Sequence, residues 1–134
     1  MKSRPFLIAF FAVLILLTGL SIYLSMTVDR ARVSVDAAVS PDGRYKATRT
    51  TTITGGSQHM CFEDIIVRLA VYPDDLQEKR NLYQVYAAPC AADGTPLGMK
   101  WLSNTDLQIT HTANPSLTKD TDIGKTVHVT FVAR

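Results

Sequence analysis

The chain is 134 residues long, with twelve acidic residues against fourteen basic ones and two cysteines. That length holds one modest core and one further segment, not two independent domains. All the acidic residues and all the basic ones except Lys2 and Arg4 follow Val28, so this larger part is formally neutral. It has no excess of positive charge with which to neutralise phosphates, and the one local basic cluster, Arg44, Lys46 and Arg49, does not share a strand face. Nucleic acid is therefore not an expected partner.

The first element follows directly on the basic head. Pro5 to Val28 carries no charge, and Phe6 to Leu24 is almost wholly apolar. About 20 such residues at about 1.5 Å rise each cross the ~30 Å hydrocarbon core of a bilayer as one helix. A cleaved signal peptide has a shorter apolar core followed by a small-x-small site. Here the best such site, Gly19 and Ser21, lies inside the run, with Ile22, Tyr23 and Leu24 still to come. No cysteine precedes Cys61, which removes a lipoprotein anchor, and no glutamate precedes Glu63, which removes a pilin-type helix. The expected layout is a cytoplasmic head over 1–4, a transmembrane signal anchor over 5–28, a stalk over 29–37 and an extracytoplasmic domain over 38–134. Lys2 and Arg4, set against Arg30 and Arg32 diluted by Asp29, orient the N-terminus inward, and Tyr23 suits the outer interface.

Beyond the anchor, alternation replaces helical periodicity. Residues 33–39 read as a first strand or a tether. Ser40-Pro41-Asp42-Gly43 is a turn: Pro41 fixes φ, Asp42 can bond its own backbone and Gly43 tolerates positive φ. Tyr45 to Ile53 is a threonine-rich strand ending at Gly55-Gly56. In the next strand, 62–72, Glu63, Ile65, Val67, Leu69 and Val71 share one face, with Asp64, Ile66 and Arg68 on the other. Asp74 and Asp75 followed by Gln77 and Glu78 resemble a capping box, which predicts one helical turn over 75–81. Tyr83, Val85 and Ala87 alternate in a returning strand over 82–88.

Pro89 to Gly98 reads as a loop, followed by a short strand with the single tryptophan, Trp101. Leu107, Ile109 and His111 alternate with polar residues in a half-buried strand. Ala113 to Lys125 is polar loop, and Val127, Val129 and Phe131 close the chain. The predicted fold is all-β: an antiparallel meander forming a small sandwich or barrel behind an N-terminal transmembrane helix.

Cys61 and Cys90 flank the strands over 62–72 and 82–88, so a hairpin brings both to its open end. A bridge there closes a loop of roughly 30 residues and stabilises by about 3–4 kcal/mol in the chain-entropy model. An exported domain of this size often carries one.

The motifs of catalysis are missing. There is no G-x-S-x-G and no serine at a strand-to-helix turn. Asp74-Asp75 and Asp120/Asp122 lie in loops, where solvated turn chemistry is the default. His59-x-Cys61 with Cys90 and His111 or His128 supplies ligand types that zinc or copper takes, and Met60 and Met99 could join them. The spacing fits no common site, and alternation sends His111 and His128 to opposite faces. The expectation is no enzyme, no metal and no cofactor. Tyr72, Tyr83, Tyr86 and Trp101 are the candidate aromatic residues for an interaction surface, the alternative being that they pack the core of the β domain. Tyr86 opposes Tyr83 across the sheet, so at least one of that pair is expected near the surface.

Two patterns carry a resemblance: Ser40-Pro41-Asp42-Gly43-Arg44-Tyr45, and later Trp101-Leu102-Ser103-Asn104-Thr105-Asp106-Leu107-Gln108-Ile109. Over about residues 38–112 the chain resembles a group of small bacterial proteins, of no established activity, with a membrane anchor or lipoprotein signal. Strands of β-propeller blades open on a similar turn, but this chain is far too short for a propeller. The resemblance implies an envelope location and a β fold; the lipid-modified cysteine is absent here.

The expected role is thus that of a single-pass protein of the bacterial cytoplasmic membrane. Its small domain, in the periplasm or outside the cell, would serve as an interaction module of a membrane complex with a protein partner. The alternative is a tethered ligand-binding or hydrolase-inhibitor domain.

Overall fold

A computed structural model describes residues 4–27, 31–73 and 80–134. Helix α1 spans Arg4–Thr27, and the apolar stretch within it contains a window of mean hydropathy 2.6. None of that window is buried in the protein, and by length and composition α1 is long and apolar enough to cross a membrane. Two of its hydroxyls are bonded within the helix. Thr18 Oγ1 donates to the carbonyls of Leu14 and Ile15, and Ser25 Oγ donates to that of Ser21. Hydroxyls satisfied in this way can sit in a medium without water.

Two sheets follow. In the first, β1 (Arg32–Val39), β2 (Tyr45–Ile53), β3 (Cys61–Leu69) and β4 (Gln84–Pro89) pair antiparallel in chain order, and β7 (Leu117–Thr118) adds a fifth, two-residue edge. The second sheet is β5 (Gly98–Trp101), β6 (Asp106–His111) and β8 (His128–Ala133), with β6 in the centre. The core draws Tyr45, Ala47, Ile65, Val67, Tyr86 and Ala88 from the first sheet and Leu107, Ile109 and Val129 from the second.

The first hairpin follows from its turn. Gly43 has φ 74°, and its N–H donates to the Ser40 carbonyl at 2.8 Å. Ser40 is buried, and its Oγ accepts from Tyr45 N–H at 3.0 Å while donating to Asp42 Oδ1 at 2.7 Å. Asp42 also accepts from the Arg44 amide, so hydrogen bonding from Ser40 first and Arg44 second holds its carboxyl below the usual range. Pairing then runs without interruption from Arg32 opposite Ile53 to Val39 opposite Lys46.

The expected stalk over 29–37 is therefore shorter, because Arg32–Val39 is strand β1 of the sheet. Strand β3 ends at Leu69, and Val71 is exposed in the following turn rather than continuing the buried face. Of the expected helical turn over 75–81, residues 75–79 lie outside the described residues. Arg80–Tyr83 form the short helix α2, which packs on β3.

The largest departure from a meander is the pairing of β6 with β8, which is parallel, from Asp106 opposite His128 to His111 opposite Ala133. Parallel neighbours need a crossover of a dozen or more residues. Residues 112–127 supply it. The chain leaves the second sheet, lays β7 against β4 in the first, then returns through a turn built on Asp122. The polar loop expected over 113–125 thus carries a strand that ties the two sheets together.

Candidate interaction surface

The four aromatic residues expected at the surface are not brought together. Tyr86 is 1% exposed, which corrects its assignment to an interaction surface. Its ring stacks on Phe131 at 6.1 Å between centroids and lies 5.7 Å from the His111 ring, so it joins one sheet to the other. The cause is a bulge. Ile65 faces Tyr86 but Ile66 faces Gln84, which leaves Val85 as an extra residue. Val85 and Tyr86 are therefore both buried in succession, where strict alternation would send them to opposite faces.

Glu63 follows its expected face and is buried beside this cluster, accepting from Thr51 Oγ1 at 3.3 Å. Burial, then the Glu63 charge, push the Tyr86 phenol above its ordinary pKa. The phenol stays neutral at physiological pH. His111 is half-buried, and its Nδ1 donates to the Ala113 carbonyl at 3.0 Å, which fixes the tautomer. This is a group of packed, hydrogen-bonded side chains.

Trp101 is half-buried, and its indole N–H donates to the Ala38 carbonyl at 3.0 Å. It fastens β5 to β1 two residues before the Ser40 turn, so the two patterns of the resemblance, far apart in sequence, meet at one seam. The Trp101-to-Ile109 pattern is itself a turn. Ser103 Oγ accepts from the amides of Thr105 and Asp106, both at 3.1 Å, and donates to the Asp106 carboxylate. Below it, Arg49 crosses the core face to the Leu97 carbonyl and to Asp36, 3.1 Å away. Tyr83, at the end of α2, is half-buried, and Tyr72, in the turn after β3, is exposed.

Cys61 and Cys90 form a disulfide, with Cα atoms 5.3 Å apart and the Cys90 N–H donating to the Cys61 carbonyl at 3.0 Å. They close the open end of the β3–β4 hairpin. His59 is exposed in the β2–β3 loop, and His128 is exposed on the outer side of β8. Among the described residues, no three His, Cys, Asp or Glu side chains converge on one point.

Sequence reasoning missed two features of the outer side of the first sheet. One is a groove of about 370 Å³ under α2, bordered by Phe62, Asp64, Arg80 and Gln84. Arg80 grips Asp64 with two parallel bonds, Nε to Oδ2 at 2.9 Å and Nη2 to Oδ1 at 2.7 Å. The other is β1, whose Val33, Val35 and Val39 are exposed on the same side. Their alternation was visible in residues 33–39, but nothing in the sequence showed that the strand lies at an edge. A second groove, of about 440 Å³, lies between Leu82, Lys119, Asp120 and Ile123.

Compared with family models, curated proteins and solved structures, the chain matches none.

Proposed function

We propose that the chain is a single-pass protein of the bacterial cytoplasmic membrane, with its N-terminus inside and a small two-sheet sandwich outside. There the sandwich acts as the interaction module of a larger membrane complex. The observation that carries this reading is the pairing of a fully exposed apolar helix with a disulfide-closed β domain only residues 28–31 away. A disulfide suits an oxidising compartment. The resemblance to small membrane-anchored bacterial proteins supports the same address. Formal neutrality beyond Val28 and the exposed apolar side chains of β1 suit protein contact better than polyanion binding.

The test is crosslinking in intact cells, followed by affinity purification of the tagged full-length chain and mass spectrometry. Stoichiometric recovery of one membrane complex is expected. Recovery of the tagged chain with no other protein would end the accessory-module reading.

A second reading, capture of an envelope ligand or a hydrolase, is favoured by the groove beside Arg80 and Asp64, which is within the size range of ligand pockets. Replacing α1 with an unrelated anchor separates the two. Ligand capture survives the exchange, and a module that also needs helix contacts inside the bilayer does not.

A further inference from the structure

The two edges of the first sheet differ in protection. The β7 edge is two residues long, whereas β1 presents eight residues whose outer side no strand covers among the described residues. Short edges, prolines, bulges and inward charges are the usual defences against edge-to-edge pairing. β1 has no proline and pairs with β2 without a bulge, and the one such defence it carries is its core-side charges, Arg32 and Asp36. Val33 is 61% exposed and Val35 63%.

The hydrogen-bond parity shows which backbone groups are open. Ser40 N–H bonds the Tyr45 carbonyl, so alternation points residues 38, 36, 34 and 32 toward β2. Val33, Val35, Ala37 and Val39 therefore direct their N–H and C=O groups outward, and their side chains lie on the outer face. Arg32, Ser34 and Asp36 lie on the opposite face, where Arg49 holds Asp36. The Asp36 side chain is still 62% exposed, and Arg32 makes no ion pair among the described residues.

We propose that β1 is a self-association edge, pairing antiparallel with β1 of a second copy of this chain about a two-fold axis through Ser34. In that register Val33 of each copy faces Val35 of the other in a hydrogen-bonded pair. Arg32 of each copy faces Asp36 of the other, so both unlike charges are matched twice. Shifting the centre to Val35 sets Arg32 opposite Ala38 and loses both charge pairs. Shifting it to Asp36 opposes two like carboxylates, which is destabilising. Of these three registers charge favours the one centred on Ser34, and an isologous contact of this kind closes at two copies. The pairing joins two five-stranded sheets edge to edge. It stands apart from the accessory-module reading, because a dimer and a mixed complex give bands of different mass.

The experiment uses the full-length chain in native membranes, with one added cysteine at position 33, 34, 35 or 37 and a mild oxidant. Ser34→Cys is expected to give the strongest reducible dimer, because only position 34 faces itself. In that background Arg32→Glu should weaken the dimer roughly tenfold by turning both attractions into repulsions. Val35→Pro removes an outward N–H and no bond to β2, so it should abolish the dimer while the Cys61–Cys90 bridge still forms. The unmodified full chain in mild detergent should have the mass of two copies. A maximum at position 33 or 35, an undiminished dimer with Arg32→Glu, or a reducible band joining Ser34→Cys to a different protein would each overturn the proposal. So would the mass of a single copy together with no dimer at any of the four positions.

Discussion

The two halves of the β domain are assembled in different ways. From β1 to β4 each strand pairs with the next one in the chain, and the open end of the β3–β4 hairpin is closed by a disulfide. From β5 to β8 the chain pairs out of order: β7 leaves for the other sheet, and β8 returns parallel to β6. Local hairpins close short loops, whereas the second half has to order residues 112–127 before β8 contributes any pairing. The first half carries its own instructions, and the second depends on the first for a surface to fold against.

The strongest way to break this arrangement is at Tyr86, the ring that joins the halves. Tyr86→Ala removes its contacts with Phe131 and His111 and is expected to cost about 3–5 kcal/mol, enough to unfold both sheets together. Denaturant titration of the full chain in detergent, followed by tryptophan fluorescence, measures this. Loss of the second sheet alone would show that the halves are less coupled than the packing indicates. The phenol also sets a pH limit. Its folded pKa is raised above the unfolded value of about 10, so its contribution is complete below that pH and is lost as pH rises through the folded value. Tyr86→Phe should remove this part of the alkaline destabilisation.

The disulfide acts on the first half alone. Replacing Cys61 and Cys90 together by serine is expected to cost about 2–4 kcal/mol through the unfolded chain. Hydrogen exchange should then show faster opening of β3 and β4 and little change in the β5–β6 turn. Equal loosening everywhere would mean that the hairpin is the nucleus for the whole domain.

Asp122 tests the return of the chain. It is buried, and its Oδ1 accepts from the amides of Thr126 at 2.7 Å and Val127 at 2.9 Å just before β8. Asp122→Ala leaves two amides unsatisfied, the Val127 one buried, and is expected to cost about 1–3 kcal/mol. Selective loss of protection in β8 is the readout. Asp120/Asp122 read in sequence as a solvated acidic pair, yet one of them organises the parallel strand.

That contrast shows what was legible. The strand Tyr45–Ile53 is read to the residue because a Pro-Asp-Gly turn precedes it and Gly-Gly follows it. The inward face of β3 is likewise visible through Glu63, Ile65 and Val67, because burial on one side leaves a period of two. Direction leaves no such trace. Val129 and Phe131 alternate identically in a parallel or an antiparallel strand, so the partner of β8 was hidden. Tyr86 was misplaced for a related reason. A bulge shifts parity by one residue, and the extra Val85 looks in sequence like any other strand position. The open edge of β1 was hidden because an edge is defined by the strand that is not beside it.

Trp101 gives the smallest expected effect and the sharpest test of how the halves are joined. Its ring packs against the core, while its N–H reaches the Ala38 carbonyl on β1. Trp101→Phe keeps most of the apolar contact and removes the donor, with an expected cost of about 0.5–1.5 kcal/mol. The Ala38 carbonyl is on the side of β1 that faces β2, so the ladder still holds it and only the tie between sheets is lost. If the seam is a true junction, Trp101→Phe and Asp122→Ala should cost more together than the sum of their separate effects, because both fix the second half to the first. Simple additivity would mean that each turn holds its own strands and that Tyr86 alone joins the two sheets.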